Sequence, residues 1–543
     1  MSASRSRTRL VIIGLITASL ALFAVPAHAH NGQQVHDQQL APRTHFQMLA
    51  DGTSGKTVGG EGIPNIDSVK STIYRYYGDP GTGIANKAAS PYIQEMNSTI
   101  KAATTALEPA YKRAIKHGEK PAIVFDADDT TLMTYDMEVA GMHFTFDPAL
   151  QDVYVQGQRF PATPAMVEFV TKAADMGYTI FGLTGRNDDQ KAATVANLGN
   201  VGYTDFAADR FYTKWTGKGS SQQPSYITCA VAKCTTVEYK AQTRKHIEEQ
   251  GYSITLNVGD QWSDLQGGYA DQTLKLPNPT YYLPSANLPG VKEPRLTPRT
   301  QFNMAANGTS GLKGDGEGIP NIDSVKSTIY RYYGDPGTGI ANKIDSPYIQ
   351  ELAKLTKTIT PQLTATCRQG ARRGTKPAVV LDADDTTLWT YDMEVAGMHF
   401  TFDPALQNVY VQDQRFAATP RMVTLAAAAQ NAGCTVIGVT GRNDGQKAAT
   451  LGNLATIGYT GFTAANYYTK WTGKGTSVQP SYITCAMAKC TTIEYKSQTR
   501  KHVESAGGGH YDIVANLGDQ FSDLVGGSAD RAIKLPNPTY YLP

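Results

Sequence analysis

The sequence predicts the α/β class: two tandem three-layer domains, each with a mainly parallel sheet and small cap insertions. Apolar runs of strand length, Ala122–Phe125, Thr179–Leu183 and Ile254–Val258, alternate with segments of helical periodicity. Each run ends in a polar cluster, as where a sheet opens into a cleft beyond its strand carboxyl ends. The whole pattern then occurs a second time. Gly60 to Lys87 recurs unchanged as Gly316 to Lys343, and Lys275–Pro284 recurs as Lys534–Pro543.

A chain of 543 residues exceeds one ordinary core, so two domains are the natural division. The first segment reads as a leader. Arg5, Arg7 and Arg9 precede an apolar run from Leu10 to Phe23, and Ala27-His28-Ala29 gives a small-x-small cleavage signal. A signal peptide over 1–29 and export follow as expectations; a retained anchor is the alternative, for which the run is short. The formal charge of +2 becomes −1 once those three arginines are removed. Neither a nucleic-acid polymer nor an anionic membrane is suggested as a partner. The repeats set the boundaries at 42–284 and 298–543, joined by a Pro-rich linker at 285–297.

Within a repeat the elements follow from local patterns. A helix over 67–77, apolar at Val69, Ile73 and Tyr77, breaks at Gly78-Asp79-Pro80-Gly81. A second helix covers about 91–117. The strand 122–125 comes next, then an insertion from Met133 to about Pro161 and a helix over 163–176. After the strand 179–183, a Gly/Ser/Tyr-rich segment from about Tyr203 to Cys234 leads into a polar helix at 236–250. The strand 254–258 and a short strand at 273–276 close the repeat.

Export makes the six cysteines readable. Cys229 and Cys234 lie five residues apart, as do Cys485 and Cys490, and no second Cys or His pair has zinc spacing. Local disulfides are the expectation in an oxidising compartment. Cys367 and Cys434 stand where the first repeat has Tyr111 and Tyr178, and a third bridge between them is expected.

Four clusters carry chemistry. Asp126 and Asp128, two apart on an extended segment, face the same way. Their like charges repel when buried, and a divalent cation would resolve the conflict. The bland reading is a capping turn through Asp129 and Thr130. At the next strand end Thr184, Gly185 and Arg186 offer a hydroxyl and free N–H groups to phosphate oxygens. Lys240 could neutralise charge on a transferring phosphoryl group, with Lys214 and Lys245 as competitors. After the strand 254–258, Asp260 and Asp264 supply the hard oxygen ligands that magnesium prefers.

In this order and at successive strand ends, the four clusters resemble the haloacid dehalogenase superfamily. Asp126-Ala-Asp-Asp-Thr-Thr-Leu, Leu183-Thr-Gly-Arg, Tyr239-Lys240 and Gly259-Asp-Gln-Trp-Ser-Asp-Leu resemble its secreted acid phosphatase branch, which includes plant vegetative acid phosphatases. Ala127 and Asp129 depart from the branch's common Asp-Ile-Asp-Glu-Thr, which puts any partner of that Glu in doubt.

The resemblance implies Rossmann-like domains and a magnesium-dependent phosphomonoesterase. Asp126 would form an aspartyl-phosphate, and Asp128 would protonate the leaving group and activate water. Mg2+ would be held by Asp126, the Asp128 carbonyl and Asp260, with Asp264 supporting a bound water. Thr184, Gly185 and Lys240 would bind phosphate. The second repeat keeps the set as Asp382, Asp384, Thr440, Gly441, Lys496, Asp519 and Asp523.

Substrate choice is assigned to the two insertions, with Tyr135, Tyr212, Trp215 and Tyr226 as candidate contacts and local packing as the commoner role. His143 is a candidate proton donor weighed against a surface histidine. Small phosphomonoesters, taken with broad specificity, are the expected substrates. A 5′-nucleotidase or phosphotransferase on the same fold is one alternative, and a non-catalytic storage or surface-binding protein is another.

Overall fold

The computed structural model describes residues 45–47, 63, 65–217, 222–283, 301–303, 319, 321–473 and 477–542. The expected leader at 1–29 and the expected linker at 285–297 lie outside the described residues.

In each repeat five strands form a fully parallel sheet. In the first repeat the spatial order is Phe211–Lys214, Thr179–Asn187, Lys120–Phe125, Tyr252–Gly259, Thr273–Lys275. The second repeat has the same order with Tyr467–Lys470, Thr435–Asn443, Lys376–Leu381, Tyr511–Gly518 and Ala532–Lys534. The first strand in sequence is the central one. The chain adds two strands on one side of it, then crosses to the other, which makes a topological switch point at its carboxyl end. Phe125, the last residue of the central strand, pairs with Gly182 on one side and Val258 on the other.

Alternation along the central strand produces the layers. Ile123 and Phe125 join one apolar cluster, while Ala122 and Val124 join another with Tyr239 and Ile247 of the helix Thr236–Glu249. The first face is covered by the helices Ile66–Tyr76, Pro91–Lys116 and Met166–Met176. Their apolar cluster is continuous through both repeats. Helix Ile66–Tyr76 packs on its counterpart Ile322–Tyr333, and the short strands His45–Gln47 and Gln301–Asn303 pair antiparallel.

Most elements fall within two or three residues of the sequence expectation. Among the additional elements are the helix Pro148–Gln156, the helix Lys191–Asn200 and the edge strand Phe211–Lys214. Asp147 caps the first of these through the N–H groups of Ala149 and Leu150, inside the segment read as an insertion. The other two carry weak patterns, an Ala- and Asn-rich helix and a four-residue strand paired on one side only. The strand expected at 179–183 continues to Asn187, with its pairing displaced after Leu183. Among the described residues no helix is long and apolar enough to cross a membrane.

Candidate active site

The switch point gathers the sequence-predicted residues of each repeat. Asp126 continues the central strand, its N–H donating to the Val258 carbonyl at 3.1 Å. The chain then turns tightly, with the N–H groups of Thr131 and Leu132 both donating to the Ala127 carbonyl at 3.0 and 2.8 Å. Asp129 takes φ +48° in this turn, a conformation that Asp tolerates better than most residues. On the neighbouring strand the ladder is interrupted at Thr184-Gly185-Arg186. Thr184 is fully buried and accepts the Arg186 N–H at 3.2 Å, while Gly185 is exposed.

Lys240 reaches the centre from the polar helix. Its ammonium donates to Asp126 Oδ1 and Asp264 Oδ1, both at 2.6 Å, with all three side chains buried. Lys214 lies off the cluster, 3.4 Å from Thr236 Oγ1, and Lys245 pairs on the surface with Glu249 at 3.7 Å. Of the three lysines, Lys240 is the one that enters the acid cluster. Asp264 is turned inward by the tight turn after Gly259, where an added Cβ would lie 2.4 Å from the Asp264 Cβ. Its second oxygen accepts the Gln261 N–H at 2.8 Å.

Carboxylate oxygens of Asp126, Asp260 and Asp264 lie within 4.8 Å of one another, and Asp382, Asp519 and Asp523 match them. Two of these buried acids share one lysine ammonium, and Asp260 lies beside them without it. The crowding acts on Asp126 and Asp260. Burial first, then the neighbouring acids, pushes Asp126 well up against the opposing pull of Lys240. Burial and Asp264 raise Asp260 to about 6, and burial and Asp260 raise Asp129 to about 8. Burial pushes Lys240 down, but Asp126 and Asp264 outweigh it and hold the ammonium above its ordinary value. An all-oxygen donor set with excess negative charge suits a hard divalent cation.

Four contributors went unassigned in the sequence reading. Arg186 grips Asp128, its Nη2 donating to Oδ1 at 2.6 Å and its Nε to both oxygens at 3.2 Å. It stands in the quoted strand-end motif, but only the fold shows which acid it faces. Asp128 is the most open of the cluster's acids, with its side chain 20% exposed against 8% for Asp126 and 4% for Asp264. Thr130 donates to Asp260 at 3.2 Å. Asn278 donates to Asp260 at 2.8 Å and to Asp129 at 3.3 Å, while its own oxygen accepts from Thr280. Its signal was the unchanged terminal decapeptide. Glu138, in the first insertion, is buried and pushed well up by burial, then by Asp129 and Asp323.

Asp129 finds partners despite its short side chain: the Thr134 N–H at 3.0 Å, the Thr134 hydroxyl and Asn278. The insertion aromatics pack locally. Tyr135 donates to Asp79 at 2.9 Å, and Tyr226 stacks on His246 with centroids 3.8 Å apart. His143 is exposed. The bridges Cys229–Cys234, Cys485–Cys490 and Cys367–Cys434 are all formed. The first closes the loop leading into the helix of Lys240. There Glu238 accepts the N–H groups of Ala230 at 3.0 Å and Thr235 at 2.7 Å, which anchors the helix start.

The fold and the doubled acid-and-lysine site define a class. The family model described as HAD superfamily, subfamily IIIB (Acid phosphatase), matches residues 83–284 and 341–543, and the chain belongs to this family. It is 34% identical over 178 residues to the stem 28 kDa glycoprotein of Glycine max, covering 32% of this chain and 64% of that protein. It is 30% identical over 184 residues to acid phosphatase 1 of Solanum lycopersicum, again covering 32% and 64%. With vegetative storage protein 1 of Arabidopsis thaliana it shares 30% identity over 175 residues, covering 32% and 59%. Each match thus spans less than two thirds of the relative. Among solved structures it is similar to the class C acid phosphatase from Bacillus anthracis, at 18% identity, 40% and 86% coverage and a TM-score of 0.30.

Proposed function

We propose that the chain is an exported, magnesium-dependent phosphomonoesterase of acid phosphatase type, with one catalytic site in each of the domains 42–284 and 298–543. One observation carries the reading: a buried lysine bridges the strand-end Asp126 to Asp264, with Asp260 beside them, and the arrangement is complete again around Lys496. Three acids against one ammonium leave a charge deficit suited to a cation. The three disulfides, together with the leader at 1–29, support export.

Magnesium would be held by Asp126, Asp260 and the Asp128 carbonyl, with Asp264 alongside. When bound, it supplies positive charge that offsets the oxygens of the phosphoryl group. The chain's own residues do the remaining work. An Asp126 carboxylate oxygen attacks phosphorus, and the bond to the ester oxygen breaks in line, leaving an aspartyl-phosphate. Asp128, open to the cleft and oriented by Arg186, gives its proton to the departing alkoxide. It then takes a proton from the water that attacks the same phosphorus, releasing inorganic phosphate and the Asp126 carboxylate. Thr184, the Gly185 backbone and the Lys240 ammonium hold the non-bridging oxygens, with Lys240 oriented in advance by Asp264. Asp382, Asp384, Thr440, Gly441, Lys496, Asp519 and Asp523 repeat these roles. Small phosphomonoesters are the substrate class.

Hydrolysis of an aryl phosphate by the purified full chain, with magnesium and then with EDTA, tests the reading. Turnover that EDTA abolishes and magnesium restores is the expected result. Absence of metal-dependent turnover would sink it, and would favour the storage role that some relatives carry in their names.

A further inference from the structure

The helices that open the two repeats are exchanged in their contacts. Asn321, which caps helix Ile322–Tyr333 of the second repeat, donates its side-chain amide to the carbonyls of Asn278, at 2.9 Å, and Tyr281 in the first. The next N–H, of Ile322, donates to the Pro279 carbonyl at 2.9 Å, and Asp323 accepts the Tyr282 N–H at 3.2 Å. The first repeat returns the arrangement. Asn65 donates to the carbonyls of Asn537, at 3.0 Å, and Tyr540, Ile66 donates to Pro538 at 2.9 Å, and Asp67 accepts from Tyr541 at 3.2 Å.

The clamped loop is part of the opposite active site. Asn278 sits at its start, with its carbonyl held by Asn321 and its amide bonded to Asp260 and Asp129. Gln261, beside Asp260, accepts the Leu283 N–H of the same loop at 3.0 Å and donates to Asp260 at 2.8 Å. One turn further along the helix, Lys326 donates to the Phe144 carbonyl in the first insertion, and Lys70 does the same to Phe400. Each leading helix therefore braces two walls of the other repeat's cleft.

We propose that Asn321 and Asn65 are positioning residues for the active site of the opposite repeat. By fixing the loops 278–283 and 537–542 they place Asn278 and Asn537, and through these the acids Asp260 and Asp519. The chain is then an internal two-fold pair in which neither site is complete within its own repeat. This rests on the reading of Asp126 and Asp260 as holding magnesium.

The test uses the full chain. Asn321→Ser keeps an oxygen to cap the helix but is too short to reach the two carbonyls; Asn321→Asp keeps shape and cap but cannot donate. Magnesium titration by calorimetry should show two equivalent sites in the wild type. In either variant one of them should weaken about tenfold, as when a support behind a metal ligand is lost. The activity arm is crossed. With Asp382→Asn silencing the second site, Asn321→Ser should raise the magnesium concentration needed for half-maximal rate about tenfold. With Asp126→Asn silencing the first site, it should change nothing, and Asn65→Ser should give the mirror pattern. An effect of Asn321→Ser confined to its own repeat, shared equally by both sites, or absent from both overturns the clamp. A wild type that neither binds magnesium nor hydrolyses the ester overturns the functional reading instead.

Discussion

The two repeats build the same site on differently fastened scaffolds. In the first, the long helix Pro91–Lys116 is held to the turn before strand Thr179–Asn187 by a ring pair. Tyr111 and Tyr178 meet edge to face at 5.2 Å, and Tyr178 donates to the Leu107 carbonyl at 2.8 Å. In the second, the same junction is the Cys367–Cys434 disulfide, which closes a separation of 67 residues. Around the acids the main ties repeat: Lys496 bridges Asp382 at 2.6 Å and Asp523 at 2.5 Å, and Arg442 grips Asp384 at 2.6 Å, while the Tyr540 hydroxyl adds a bond to Asp519 at 3.0 Å. The scaffold tolerates exchanging a covalent tie for an aromatic one because that junction lies at the strands' amino ends. The cleft lies at their carboxyl ends, where the lysine, the arginine and the four acids constrain one another.

The comparison breaks most sharply at Asp126 and Asp382, the acids proposed as nucleophiles. Asp126→Asn and Asp382→Asn together should cut aryl phosphate turnover by at least ~10³-fold, while either alone leaves about half, read from steady-state rates. Unequal halves would show that the fastening reaches the chemistry. Next, Lys240→Met in an Asp382→Asn background should lower kcat by about 10²- to 10³-fold, and Lys496→Met in an Asp126→Asn background should match it.

Replacing both Cys367 and Cys434 by Ala should cost about 4 kcal/mol at most by loop entropy. Hydrogen exchange should accelerate in the helix Pro347–Arg373 and leave Pro91–Lys116 unchanged. A smaller effect is common to both repeats. Without metal, Asp260 and Asp519 rise to about 6 and Asp129 and Asp385 to about 8, chiefly through burial. Groups raised above their unfolded values keep their protons longer when folded, so the stability they contribute is present at low pH and lost as pH rises through 6 and 8. The Tm of the metal-free protein should fall across that window, and the Tm gain from magnesium should grow. Smallest of all, Tyr178→Phe removes one hydrogen bond and should cost about 1 kcal/mol in urea unfolding of the first repeat.

Much of this was legible locally. Asp126 and Asp128 could be placed because an apolar run ends at Phe125, and Asp260 because another ends at Val258. Lys240 could be nominated but not separated from Lys214 and Lys245, since all three sit in polar segments with no distinguishing period. Arg186 was in view without a partner, because pairing with Asp128 spans 58 residues of chain. Asn278 gave no chemical signal at all. An asparagine between two prolines reads as loop until Asp129 and Asp260 are brought against it.

By itself the sequence determined the α/β class, the duplication, the close cysteine pairs and the four clusters at strand ends. These are written in short-range patterns: periodicity, turn residues, and repetition of the same words. The tertiary structure decided which lysine enters the acid cluster and which acid Arg186 holds. It also placed Asn321 and Asn65 on the terminal loop of the opposite repeat. The physical reason is distance along the chain. Lys240 and Asp126 are 114 residues apart, and Asn65 and Tyr540 are 475 apart. Contacts of that span exist only after two sheets have formed and the leading helices have packed across them, burying one continuous core.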